Sequence, residues 1–477
     1  MGINRRAFVR NVGCAALGTS TFVNTLLNLK AVNASAGFNS SVAAGGDYKA
    51  LVCVLLAGGT DSFNMLAPIT TDEYNEYATT RSNLAVPNYD PADPNNEDNL
   101  KQLTPIGGGT PTHGVHPSMG NIQGLFNSGK LAFVSNIGTM IEPVEKPNLY
   151  SGAYDLPLGL FSHIDQVSHW QTGIPQDRVN NGWGGRMSEL LIEANQNQGI
   201  SMNMSFAGSN LFQTGESSVE YALIPGEGSL GIQAFDDQPW NLEREMIRNS
   251  AVNSIVDETY QDIFKKTYIN TVKTARDGHV LFSNAFEQST DFTGVFAEDD
   301  LSRAFETIAK TISVQSDLNM NRQIFFVELG GWDHHDGLGE DYAYRLGMLD
   351  DALGAFNTAL EQINMSDCVT TFSISEFGRT LTSNGNGSDH AWGGNMMVMG
   401  GAVNGGQIYG SYPSLVLDGD LEIGGGVLIP TLSADEYFAE ISKWFGVMDS
   451  DLTSLFPNLG NFYDPMSGTA PIGFLQL

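Results

Sequence analysis

Apolar runs divide the chain: 50–57 (ALVCVLLA), 131–137 (LAFVSNI), 324–329 (IFFVEL) and 368–374 (CVTTFSI). Each is short and nearly continuous, the pattern of a parallel strand buried on both faces rather than of a strand with one wet face. Helical spacing lies between them. The stretch HPSMGNIQGLFNSG has Pro117 near a helix start and stops at Gly129. Residues 342–363 place apolar side chains three and four apart. Residues 433–447 open with Ser433 and Glu436, a capping box. Strands alternating with helices predict an α/β fold with a mostly parallel central sheet flanked by helices. Residues 87–112 are turn-rich and predict a surface loop. Residues 241–313 predict a largely helical cap or insertion, and residues 400–430 are Gly-rich with short β patterns.

The first residues read as an address. Arg5-Arg6 with Phe8 precede a weakly apolar stretch and a small-x-small site at Ala34–Ala36. That is the pattern of a twin-arginine export signal over residues 1–36. It predicts passage through the twin-arginine translocase to a periplasmic or secreted location, with no membrane anchor after cleavage. The alternative is a basic amphipathic helix of the mature protein.

Of 477 residues, 41% are hydrophobic, enough for a large core, so disorder is excluded as the default. The net charge of -31 argues against nucleic acid and anionic lipid as partners, since both would be repelled. Cys14 would leave with the leader. Cys53 and Cys368 fall in strand-like runs and read as buried thiols, with a disulfide between them left open.

Ligands of an open α/β sheet bind beyond the carboxyl ends of its strands. Metal-capable residues gather there. Asp61 follows the first run. Ser162, His163 and His169 follow the second after a long loop. GGWDHHDG, with Asp333, His334 and His335, follows the third. Glu376, Arg379, Asp389 and His390 follow the fourth. Asp333 and His335 are two apart, on one side of an extended segment, so both can reach one ion. Each residue has an ordinary reading as well. Asp61 can cap a helix, Glu376 and Arg379 can pair locally, and Asp389-His390 can be a surface turn. At least one of His163 and His169 reads as structural. His113 and His116 read as makers of loop hydrogen bonds. Taken singly these readings hold; together they require several coincidences at one edge.

The blocks AGGTDSFNMLAP, SHIDQVSHWQTG, GWGGRMSEL, ELGGWDHHDG and SEFGRT…SDHAWGG resemble the motif series of an exported bacterial family catalogued as domain of unknown function 1501. That family is similar to the alkaline-phosphatase and sulfatase-like superfamily. The resemblance implies one alkaline-phosphatase-like domain over residues 37–477, and a metal centre of one or two divalent ions. It implies Asp61, Asp333, His335, Glu376 and His390 as ligands, Asp389 as an extra one, and Ser162 as the nucleophile. Phe377 stands where the superfamily has a second His, so one ion or two stays open. Arg379 would clamp an anionic group through paired hydrogen bonds. Mixed imidazole and carboxylate donors suit Zn best, then Mn or Fe. The implied activity is hydrolysis of small phosphate or sulfate esters, or of phosphorylated or sulfated polymers. The alternatives are a non-catalytic exported protein acting in surface assembly or polymer binding, and a redox or oxygenase site with one ion.

Overall fold

A computed structural model of the chain describes residues 48–231 and 242–477. The leader read at residues 1–36 lies outside the described residues. Among the described residues no helix is long and apolar enough to cross a membrane.

The main sheet contains strands Lys49–Ala57 (β1), Leu131–Gly138 (β2), Asn203–Ser205 (β3), Tyr221–Ile224 (β4), Gly228–Ser229 (β5), Arg322–Gly330 (β6), Val369–Ile374 (β7), Gly394–Met399 (β8) and Ile408–Tyr409 (β9). Their spatial order is β9-β2-β8-β7-β1-β6-β3-β4-β5. β1 lies at the centre, parallel to β6 and β7 on either side, in the registers Val52↔Phe325 and Val52↔Thr371. β8 is antiparallel to both β7 and β2. β2 therefore points the same way as β1 without pairing with it. The four apolar runs are all strands. The fourth begins one residue later than read: Cys368 ends a 3-10 turn, is half-buried, and is a free thiol, as is buried Cys53. β8 went unread.

Principal helices are Thr71–Arg81 (α1), Gly120–Asn127 (α2), His163–Thr172 (α3), Leu242–Val256 (α4), Ile263–Phe286 (α5), Asp300–Ser313 (α6), Leu338–Gln362 (α7) and Ala434–Phe445 (α8). The reading of 241–313 as largely helical matches α4 to α6. Ser433 and Glu436 cap α8 reciprocally, as their spacing predicts.

The period of two along β1 divides the core. Ala50, Val52, Val54 and Leu56 face a cluster with Ile122, Phe305 and Phe356 from α2, α6 and α7. Leu51, Cys53 and Leu55 face the other, with Trp170 from α3 and Tyr437 and Phe438 from α8. Both faces of the sheet are thus dry, which is why β1 reads as a continuous apolar run.

His116 sits 8% exposed beside Tyr342, and its Nδ1 accepts from the Ser118 N–H (3.2 Å). Burial pushes its pKa down from 6.5 to about 4. Between those values the unfolded chain binds a proton that the folded chain refuses. Stability is therefore full above pH 6.5 and falls as the pH drops toward 4, by up to about 3 kcal/mol. His116→Gln is expected to flatten that slope in urea titrations across this range; an unchanged slope would remove His116 as its source.

Candidate metal centre at the carboxyl edge of the sheet

The loops after β1, β6 and β7 are packed tightly. Gly58 has φ +128°, and a Cβ there would strike the Trp332 and Asp333 backbone. A Cβ on Gly59 would strike the Phe377 ring. These two glycines let the β1 loop run directly under the other two. Ser375 Oγ ties them from below, donating to Leu56 O (2.8 Å) and accepting from the Thr60 N–H (3.0 Å).

Above this floor Asp333, His335 and His390 converge, and His163 joins them. Asp333 Oδ1 lies 3.5 Å from His163 Nε2, 3.2 Å from His335 Nε2 and 3.6 Å from His390 Nε2. The donor atoms of His163, Asp333 and His390 all lie within 4.8 Å of one another. Metal–donor distances near 2.0–2.1 Å give tetrahedral edges of about 3.3 Å, so the spacing suits one small ion.

Each imidazole is held from behind. His163 Nδ1 donates to Glu376 Oε1 (2.9 Å), His390 Nδ1 to Phe161 O (2.8 Å), and His335 Nδ1 to Asp389 Oδ1 (3.0 Å). Donation from Nδ1 leaves each Nε2 a lone pair. His335 Nε2 and His390 Nε2 are only 2.8 Å apart. A proton shared between them, or a cation beside them, would satisfy both nitrogens. The donor set therefore fits a divalent ion. His163, Asp333 and His390 are the donors grouped closely enough to hold it, with His335 Nε2 beside Asp333 and His390 as a fourth, and Glu376, Asp389 and Phe161 O would orient the rings.

The electrostatics agree. The Glu376 hydrogen bond raises the pKa of His163 against its partial burial. Burial lowers that of His390. Partial burial pushes the Asp333 carboxyl up, but the Arg379 hydrogen bond and charge, with His163 and His335, hold it below the usual range. The Asn384 and His335 hydrogen bonds lower that of Asp389. The donor side chains are 22–48% exposed, so the centre opens to solvent.

Several residues read from the sequence sit elsewhere or act differently. Asp61 is fully buried, and its Oδ2 is paired with Arg81 at the end of α1. That ion pair takes Oδ2, while Oδ1 is buried without a hydrogen-bond partner, and Asp61 is not in the group of donors that gathers at His163, Asp333 and His390. Glu376 is 2% exposed; its Oε1 accepts from His163 Nδ1 and the Gly58 N–H (2.7 Å). Asp389 faces the far nitrogen of His335. Both carboxylates thus stand behind imidazoles. Arg379 is fully buried and donates to Gly59 O, Ser388 O, Gly58 O and Asp333 Oδ1. Those acceptors use its fork, so it anchors Asp333 and three loops and is not placed to clamp an outside anion. It pairs with Asp333, not with Glu376. His334 points inward, 3% exposed, with Nε2 on Asp341 (2.9 Å), as a period of two from Asp333 and His335 requires.

Ser162 is the N-cap of α3, its Oγ accepting from the Asp165 N–H at 3.5 Å. Ser162→Ala is expected to lower stability by about 1 kcal/mol as loss of a cap, read as a shift in denaturant midpoint. If Ser162 is also the nucleophile, turnover falls by orders of magnitude with metal content unchanged. Position alone fits either role. His169 is buried against Leu158 O (2.8 Å) and is the structural one of the two histidines. His163, the first residue of α3, is the one of the two that joins Asp333 and His390.

Phe377 fills the place beside the imidazoles. Its ring stacks on His390 (4.6 Å between centroids) and lies 4.9 Å from His163.

Residues 283–435 match the family described as "Protein of unknown function (DUF1501)". Over those residues the chain is similar to the DUF1501 family. The DUF1501 region carries Asp333, His335, Glu376, Arg379, Asp389 and His390, while Asp61 and His163 precede it. No curated protein matches the chain. Among solved structures, the chain is similar to Ps i-CgsB in complex with k-i-k-neocarrahexaose, with 12% identity over 88% of this chain and 77% of that one, at a TM-score of 0.33. The lipoteichoic acid synthase LtaP from Listeria monocytogenes gives 9% identity, 84% and 80% coverage, and 0.28. A TAB5 alkaline phosphatase mutant with Mg bound gives 11%, 74% and 90%, and 0.26. Scores this low carry no argument about activity; the fold class rests on strand order and register.

Proposed function

We propose that this protein is a single-metal hydrolase of phosphate or sulfate esters, small or carried on a polymer. The observation that carries the reading is the convergence of three back-tethered imidazoles and Asp333 at a solvent-open sheet edge. Phe377, packed where a second ion would need ligands, supports one ion rather than two. Zinc suits the mixed nitrogen and oxygen donors best, with manganese or iron next. A divalent ion supplies a Lewis acid that polarises an ester oxygen.

The chain's own residues do the rest. Glu376, Asp389 and Phe161 O fix three ring orientations, so no ligand has to reorganise on binding. Arg379 fixes the Asp333 carboxylate. Phe377 keeps water from one side of the imidazoles. The N-terminus of α3, opening at Ser162 and His163, offers backbone N–H groups and a positive dipole end to an anionic ester.

Arg379 favours a second reading. With its fork spent on protein acceptors, no buried arginine among the described residues is left at the centre to grip an anion. That suits an exported metal-binding protein acting in surface assembly. Elemental analysis followed by a phosphomonoester, phosphodiester and sulfate-ester panel separates the readings. One zinc per chain with turnover is the expected result. Metal without turnover on any ester supports the second reading, and iron with no hydrolysis supports a redox site. Export is part of the same proposal. Replacing Arg5 and Arg6 with lysine is expected to hold the precursor in the cytoplasm, and normal export of that variant would sink it.

A further inference from the structure

Helix α5 carries one stripe that is half seated and half bare. Phe264, Tyr268, Thr271 and Ala275 follow one another at steps of four and three, and the same alternation continues through Gly278, Phe282 and Ala285. That is the 3.5-residue period of a seam that packs along another helix. The C-terminal part is seated: Gly278, Phe282 and Ala285 are buried. A Cβ on Gly278 would press on Gly199 O, and the Phe282 ring lies 5.6 Å from Tyr221. The N-terminal part is bare. Phe264 is 83% exposed and Tyr268 69%, with Thr271 and Ala275 exposed beside them. Helix α4 approaches a different flank of α5, where Arg276 donates to Asn253 Oδ1 (3.1 Å) and Lys273 Nζ lies 3.8 Å from Asp257.

We propose that this bare half-seam is a self-association surface, occupied by the same segment of a second copy running antiparallel about a two-fold axis. Side-chain size supports the direction. The bare seam reads large, large, small, small. An antiparallel copy sets Phe264 against Ala275 and Tyr268 against Thr271, so bulk meets space in both places. A parallel copy would set Phe264 on Phe264 and leave the alanines facing a void. A two-fold axis makes such a contact self-complementary and closed.

Charge selects the partner. Residues 242–286 hold six basic and six acidic side chains, in a chain of net charge -31. Two copies repel over the rest of their surfaces and are neutral to each other here. The same net charge disfavours an anionic lipid surface as the occupant. From Phe264 to Ala275 the seam spans only about 17 Å, so association is concentration-dependent.

Sedimentation equilibrium of the purified chain tests this. A monomer–dimer equilibrium is expected. Phe264→Asp/Tyr268→Asp, with circular dichroism and metal content unchanged, is expected to sediment as monomer at every concentration. Direction is read by oxidising a mixture of Phe264→Cys and Ala275→Cys proteins. The mixture is expected to give a disulfide-linked dimer, and each variant alone to give none. A wild type that stays monomeric, a dimer unaffected by the aspartates, or cross-linking of Phe264→Cys with itself each overturns the proposal. So does binding of the wild type to phosphatidylglycerol vesicles that is lost with the aspartates, which would assign the face to lipid.

Discussion

On the single-metal reading proposed above, Asp333→Ala protein is expected to fold and to lose its metal. Asp333 Oδ1 is the shared neighbour of three imidazole Nε2 atoms, at 3.2–3.6 Å. Without it the centre keeps only neutral donors and loses the negative charge facing a divalent cation. The fold should tolerate the change. The Asp333 side chain is 48% exposed, and Arg379 retains the carbonyls of Gly58, Gly59 and Ser388. Arg379 itself is fully buried, so losing this half-exposed partner is expected to cost about 1–3 kcal/mol, less than stranding it altogether. Glu376→Gln provides the graded comparison. It leaves every ligand in place but weakens the hydrogen bond that orients His163, which should lower affinity about 10–100-fold. Loss of Asp333 should exceed that. Chelator competition ranks the affinities and elemental analysis gives the stoichiometry. Full metal in Asp333→Ala, or equal affinities in the wild type and Glu376→Gln, would move the centre elsewhere.

What the sequence made legible follows from burial. β1, β6 and β7 are dry on both faces, so each wrote itself as an apolar run, and the residues just after them fell on one edge. That placed Asp333, His335 and His390 near one another. β8, NMMVM between glycine pairs, carries three methionines and a single β-branched residue, Val398. Its pattern resembles that of the Gly-rich segment that follows, which hides it. His163 was hard to assign because residues 139–161 separate it from the end of β2 and hold only one short 3-10 turn, at Lys146–Asn148. The direction of a side chain was the least legible feature. Asp61 and Arg379 stand at the edge the strands predict, but partners far along the chain turn both inward: Arg81 for Asp61, and the carbonyls of Gly58 and Gly59 for Arg379. No local spacing announces such partners.

Asp61 therefore yields the sharpest contrast with the ligand reading. Its carboxylate and the Arg81 guanidinium are both wholly buried. Arg81 also donates to Asn64 Oδ1 (3.1 Å) and Thr380 O (2.9 Å), joining the end of α1 to the loop after β7. Removing the carboxylate alone strands a buried guanidinium. Such a loss costs about 3–5 kcal/mol, so Asp61→Ala is expected to be among the most destabilising single changes at this edge. Asp61→Ala/Arg81→Met takes away both charges and fills the space with an apolar chain. It is expected to recover part of the loss, because an apolar replacement of a buried pair is often close to neutral. The recovery is incomplete, since Asn64 and Thr380 O lose their donor. Metal content should stay at the wild-type level in every variant that folds. Urea denaturation and elemental analysis of the same preparations measure both quantities. An Asp61→Ala protein of wild-type stability that lost its metal would return Asp61 to the ligand set and leave Arg81 as a bystander. An unstable protein with its metal intact makes Asp61 the anchor of the loop from which Gly58 and Gly59 support Arg379, and through it Asp333.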